Sequence, residues 1–167
     1  MRKNLVLFYS LICAITSFGI TTSCAQEMHR LNVRPDSADI KELVDKYVQS
    51  INNADSGLAY RLFGQTGAEY FVHPGGFERG WQQINTNIYG ILGSLYTRRE
   101  WRILHERIWL FECAASVVIE WTMDVTVKKD NSALQLKGKE TQLWAKLKGE
   151  WKLAQVHDSG IPDTTFQ

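Results

Sequence analysis

An α+β fold, with three helices in the N-terminal half laid on the concave face of a curved antiparallel sheet, is predicted by three observations. Apolar residues recur at helical spacing from Ile40 to Ile51 and again from Trp81 to Leu95. From Arg98 onward the period drops to two, over four long runs separated by turn residues. The two periodicities occupy separate halves of the chain, the pattern of helices segregated to one side of an antiparallel sheet.

The chain of 167 residues opens with Met1-Arg2-Lys3-Asn4, an apolar run from Leu5 to Ile20, and then Thr21-Thr22-Ser23-Cys24-Ala25. Positive charge, an apolar segment and small residues make 1–25 an export signal. Two processing routes fit. Ser23 and Ala25 have the spacing of an ordinary signal-peptidase site, which leaves Gln26 first. Cys24 after Ser23 resembles a bacterial lipoprotein box, with Thr21 where that box usually carries Leu, and this route leaves a lipidated Cys24 as a membrane tether. Either way the expected location is exported, periplasmic or lipid-anchored to the bacterial envelope. Residues 26–36 read as a tether, 37–160 as one domain and 161–167 as a tail.

Pro35-Asp36-Ser37 starts the first helix, where Asp36 or Ser37 can cap free N–H groups. Ile40, Leu43, Val44, Tyr47, Val48 and Ile51 then form one apolar stripe. Asp55-Ser56-Gly57 starts a short second helix through Leu58, Tyr60, Leu62 and Phe63. Glu69–Val72 is a short strand, ended by the turn residues His73-Pro74-Gly75-Gly76. A third helix spans Gly80 to Tyr96 through Trp81, Ile84, Ile88, Ile91 or Leu92, and Leu95.

Four strands follow. Trp101 to Phe111 is the first and Ala115 to Lys128 the second, with Val117, Ile119, Trp121, Met123, Val125 and Val127 on one apolar face. Asp130-Asn131-Ser132 turns the chain into a third strand, whose apolar parity shifts between Leu136 and Thr141; a bulge near Gly138 would reconcile the two halves. The last hairpin folds at a three-residue loop, Lys148-Gly149-Glu150, so that Leu147 faces Trp151, Ala145 faces Leu153, Leu143 faces Gln155 and Thr141 faces His157. In that register the inward face turns from apolar to polar, and a cavity with a few convergent polar groups would explain it. The bland alternative is that Thr141 and His157 satisfy each other across the strands.

Charge and cysteines narrow the classes. Without Arg2 and Lys3 the chain carries 17 basic against 18 acidic residues, a net of −1 where the whole chain has +1. No basic stripe for nucleic acid stands out. Of three cysteines, Cys13 leaves with the signal and Cys24 lies at its end, so Cys113 is expected alone and stability must come from the core.

Three local motifs, in this order of elements, resemble the nuclear transport factor 2-like superfamily, the cone-shaped fold of ketosteroid isomerases and SnoaL-like cyclases. Phe71-Val72-His73-Pro74-Gly75-Gly76 with Gly80 is similar to its first strand, loop and helix entry. Gly138, Thr141 and Trp144 are similar to its penultimate strand. Trp151-Lys152-Leu153 with Val156-His157 and Ser159 is similar to its closing strand. The resemblance implies the fold, and common association of two copies through the outer sheet face. For an isomerase it implies a helix-one Tyr, for which Tyr47 stands, and an Asp base near the first strand, where Glu69 or His73 would have to substitute. It also implies a second, protonated Asp; Asp124 lies in a suitable strand but on the outward face.

Candidate site residues follow from the faces. If Glu112-Cys113 is a two-residue turn, Glu106 stands opposite Ile119 beside Leu104, Ile108 and Leu110, where a carboxylate can act as acid or base. A turn longer by one puts His105 there and Glu106 in solvent. His73 and His157 are the other catalytic candidates. Tyr47, Tyr60, Trp81, Trp121, Thr141, Gln155 and His157 are the candidate ligand-binding groups, although aromatic residues on such stripes also serve as plain core. No metal or cofactor is expected, since no two of His73, His157 and Glu106 have the short spacing of a zinc motif. Trp144, Ala154 and Val156, with Trp101 or Trp109, are expected to cluster on the outer face and pair two copies.

Three functions fit. The first is an exported domain holding a small, mostly apolar molecule oriented by His157, Gln155 and Thr141. The second is an isomerase, cyclase or dehydratase using Glu106 or His73 as base. The third is a dimerisation module with a filled core. An inward acid with a shifted pKa separates the second from the first.

Overall fold

A computed structural model describes residues 36–162, with side chains to Gly160. The export signal over 1–25 with its Cys24, the tether ahead of Asp36 and the end of the tail lie outside the described residues.

Helix α1 (Asp36–Asn53) buries Ile40, Val44, Tyr47 and Ile51, the predicted stripe. A left-handed Ala54 breaks it, and Asp55 caps the next helix by accepting the Leu58 N–H at 2.9 Å. Helix α2 (Ser56–Leu62) is followed by β1 (Tyr70–His73) and β2 (Gly76–Arg79). Strand β2 was not expected. Pro74-Gly75 form a two-residue turn, and Gly76 at φ 147° starts a return strand that pairs with β1 from Tyr70↔Arg79 to His73↔Gly76.

The predicted third helix comes in three pieces: α3 (Gly80–Ile84), a π-helical segment (Asn85–Tyr89) and α4 (Gly90–Leu95). The Gly90 N–H bonds back to the Asn85 carbonyl, five residues earlier. One added residue in the turn rotates the apolar stripe, a device often found at functional sites.

Four long strands complete the chain: β3 (Tyr96–Leu110), β4 (Ala114–Val127), β5 (Ala133–Leu147) and β6 (Glu150–Asp158), with a short β7 (Ile161–Pro162) on β5. The order is β2-β1-β6-β5-β4-β3 in a curved, unclosed sheet. All pairs are antiparallel except β1 with β6, which run parallel. Alternating inward residues of β4, from Ala115 through Val117, Ile119, Trp121 and Met123 to Val125, form the floor on which α1 packs.

Three registers differ from expectation. The last hairpin turns on Lys148 and Gly149, both left-handed (φ 52° and 84°), so the loop has two residues and Leu147 pairs with Glu150. A bulge at Ala154 then restores Leu143↔Gln155 and Thr141↔His157. No irregularity occurs near Gly138: β4 and β5 pair without a break, Trp121 against Gly138. Strand β5 therefore keeps one inward row, Leu136, Gly138, Glu140, Gln142 and Trp144.

That row overturns the expected outer patch. Trp144 and Val156 are fully buried, Trp101 is buried at 4% exposure, and Trp144 is the largest fully buried side chain among the described residues. Truncating such a residue costs about 3–5 kcal/mol. The outer face exposes Trp109, Val118 and Leu143 on β3, β4 and β5, and Tyr70 and Phe77 on β1 and β2. Cys113 is disulfide-bonded, against the expectation that it stands alone.

Candidate functional site

The inward ends of β5 and β6, α1 and the π segment meet around a cleft of about 240 Å³. Its walls are Ile51, Phe71, Ile88, Ile91, Leu92 and Met123 with the indoles of Trp101 and Trp121, whose ring centres lie 5.8 Å apart. Its polar groups are Tyr47, His73, Asn87, Glu140 and Asp158. An apolar hollow with a few convergent polar groups is the usual form of a small-molecule site.

Glu140 is 3% exposed. Its Oε2 accepts the Tyr47 hydroxyl at 3.1 Å and its Oε1 accepts the Gln142 amide at 2.8 Å. Trp144 Nε1 in turn donates to Gln142 Oε1 at 2.9 Å. Burial, with the Asp158 charge adding to it, lifts the Glu140 carboxyl to about 8, although both hydrogen bonds pull it down. Burial lifts Tyr47 well above its usual range, and the neighbouring Glu140 charge adds to this.

Asp158 stands directly opposite Glu140. Burial raises its carboxyl to about 6, opposed by a hydrogen bond from Trp121 Nε1 at 3.1 Å and by one from the Gly160 backbone N–H. Trp121 is held for this bond by two glycines: a Cβ on Gly138 would meet the indole at 2.7 Å, and one on Gly160 would meet it at 3.2 Å. The parallel register sets Phe71 beside Val156 and Val72 beside His157, which brings His73 to the Asp158 end of β6. His73 Nδ1 accepts the Gly75 N–H at 3.3 Å, and its Nε2 lies 3.5 Å from Glu78 Oε1. Glu78 also accepts from Asn87 of the π segment at 2.7 Å.

Of the expected residues, Tyr47, Trp121 and His73 meet in this cleft. Thr141, Gln155 and His157 do not: they lie exposed on the opposite sheet face, Thr141 because the inward row of β5 runs through Glu140 and Gln142, and the other two because the Ala154 bulge reverses the parity of β6 beyond it. Tyr60 is 46% exposed, and Trp81 packs among Tyr60, Phe63 and Tyr89 outside the cleft. Glu106 takes the two-residue-turn register opposite Ile119. Its Oε2 binds Lys41 Nζ at 3.2 Å, its Oε1 is buried without a partner, and it does not line the cleft. Leu104, expected beside it, is 54% exposed at a bulge in β3.

Sequence reasoning missed Glu140 and Asp158. Two signals were available: the glycine at 138 facing Trp121, and the continuation of the Gly138 parity through Glu140, Gln142 and Trp144. Among the described residues no group of three or more His, Cys, Asp or Glu is placed to hold a metal. A larger groove of about 390 Å³ beside Arg98, Asp124 and Gln135 has its carboxylate engaged, Asp124 being held below its usual range by Gln135 and then Arg102.

A superfamily protein from Salmonella enterica subsp. enterica serovar Typhimurium str. LT2 is 31% identical, and the match covers 77% of this chain and 93% of that one with a TM-score of 0.72. The chain belongs to the nuclear transport factor 2-like superfamily. More distant superfamily-like folds include hexachlorocyclohexane dehydrochlorinase LinA-type3 from Novosphingobium barchaimii LL02 (11% identity, 77% and 86% covered, TM-score 0.66). A conserved protein from Planctomyces limnophilus DSM 3776 is also similar (17%, 76% and 97%, 0.64). These two likenesses concern the nuclear transport factor 2-like fold alone. No family model and no curated protein matches the chain.

Proposed function

We propose that the protein is an acid–base enzyme that moves a proton on a small, uncharged, mostly apolar carbonyl compound. Asp158 takes the proton from the carbon beside the carbonyl, and Tyr47, backed by protonated Glu140, donates a hydrogen bond to the enolate oxygen that develops. The proton returned to another carbon gives an isomerisation; loss of a β-hydroxyl gives a dehydration. The observation that carries this reading is the facing pair of carboxyls with unequal environments in one apolar cleft. With carboxyls at about 8 and about 6, near-neutral pH leaves Glu140 protonated and Asp158 ionised, one acid and one base.

The lining supports an uncharged substrate. Among the cleft residues there is no Lys or Arg to meet a carboxylate or phosphate, and the aromatic walls suit a ring. The second reading, a binding domain without turnover, is favoured by the same walls. Incubating the protein with small cyclic ketones in D2O and following deuterium entry beside the carbonyl separates the two. Catalysed exchange that Asp158→Asn abolishes is the expected result; retention of the ketone without exchange leaves the binding domain.

Export is proposed on the strength of residues 1–25, which carry positive charge, an apolar run and small residues in that order. Pairing of two copies is proposed through Trp109, one of the residues expected there from the sequence, with Val118 and Leu143 in place of the buried Trp144 and Val156.

A further inference from the structure

We infer that Gln142, clamped by Trp144, is a positioning residue: it confines the acid proton of Glu140 to Oε2 and thereby turns the Tyr47 hydroxyl proton into the cleft. The argument is one of donors and acceptors. An indole N–H can only donate, so the Gln142 atom 2.9 Å from Trp144 Nε1 must be its oxygen. The amide nitrogen is then committed to Glu140 Oε1 at 2.8 Å, and an oxygen that receives an amide N–H does not carry a proton along that line. In the acid form the proton sits on Oε2, against the Tyr47 oxygen at 3.1 Å. Tyr47 becomes the acceptor of that bond, and its own proton is free to point elsewhere.

In the carboxylate form the direction reverses. Tyr47 donates to Oε2 and the cleft loses its donor. Trp144, Gln142, Glu140 and Tyr47 are all buried, at 0–3% exposure, so no solvent competes for the row. The titratable groups around Glu140 are Tyr47 from α1, Tyr89 from the π segment and Asp158 from β6, with His73 from β1 beyond Asp158. An ionised Asp158 opposes a second negative charge on Glu140, which holds the row in its donating state. The inference rests on Tyr47 being the donor to a bound carbonyl oxygen.

The test uses the full chain and two probes of similar shape, acetophenone, which has an acceptor oxygen, and ethylbenzene, which does not. At about pH 7 acetophenone should bind about tenfold more tightly, the worth of one buried hydrogen bond. The preference should vanish by about pH 10, with a midpoint near the Glu140 value of about 8. Tyr47→Phe should remove the preference at every pH. Gln142→Met should shift the midpoint upward, since the lost amide donor favoured the ionised form, and should reduce the preference several-fold at about pH 7. Trp144→Phe, which unclamps the amide, should do the same if Gln142→Met does not fold. A pH-independent preference, a midpoint unmoved in the folded variant, or binding of neither probe would each overturn the inference. Binding as expected with no proton exchange would strike the enzymatic reading alone.

Discussion

Glu140 and Asp158 stand directly opposite each other on β5 and β6, both facing the cleft, and both carboxyls are raised by burial. The two charges oppose each other, so the pair titrates in steps that belong to both residues.

Stability should therefore fall with rising pH. Glu140 ordinarily titrates at 4.5 and does so at about 8 in the fold, so between these values the native state holds a proton that the unfolded chain has released. The contribution is fully present below about 4.5 and is lost as pH rises through about 8, on the order of 5 kcal/mol in all. Asp158 acts in the same sense between 3.8 and about 6. Urea midpoints measured from about pH 5 to about pH 9 should decline. In Glu140→Gln most of that slope should disappear; a slope left intact assigns the effect elsewhere.

Gly138→Ala should strike both the core and the site. Its Cβ would lie 2.7 Å from the Gly160 Cα and from the Trp121 ring. Overpacking of this kind costs about 1–3 kcal/mol. The displaced indole would also release its hydrogen bond to Asp158. Thermal melting and the Asp158 titration, followed by carboxyl NMR, should move together, with the Asp158 value rising.

Glu106→Leu should leave proton exchange unchanged and stability equal or higher by about 1 kcal/mol, because the carboxylate has one buried oxygen without a partner and a single, half-exposed lysine on the other. Loss of exchange in a folded Glu106→Leu would return this residue to the chemistry.

Two charged substitutions on the outer face, Val118→Asp and Leu143→Asp, should convert a dimer to monomer in sedimentation at micromolar concentration, with the fold retained by circular dichroism. His157→Ala on the same face should leave cleft binding untouched. A wild-type protein that sediments only as monomer removes the pairing surface.

Much of the fold was legible because it is written in short-range periodicity. The Ile40–Ile51 stripe defines α1, and the unbroken Val117–Val125 alternation defines the floor. Of the two turn lengths open at Glu112-Cys113, the shorter one sets Glu106 opposite Ile119. The site was less legible for a physical reason. Thr141, Leu143, Ala145 and Leu147 form the more apolar set on β5, yet the inward set is Glu140, Gln142 and Trp144, because those polar groups satisfy one another in a buried chain. Counting hydrophobic residues selects the wrong face wherever polar groups are paired inside. The one-residue bulge at Ala154 then reverses the far end of β6, and no local signal announces it.

The parallel seam between β1 and β6 has a kinetic corollary. Tyr70 finds Gln155, and Val72 finds His157, across about half the length of the protein. A polypeptide emerging from the ribosome can form α1 and the β3–β4 hairpin early, but it has nothing to seat Phe71 against until nearly all of it has been synthesised. Chains cut short before residue 155 should thus collapse with an open flank and no acidic pair. Assembly of the cleft becomes the last event of maturation.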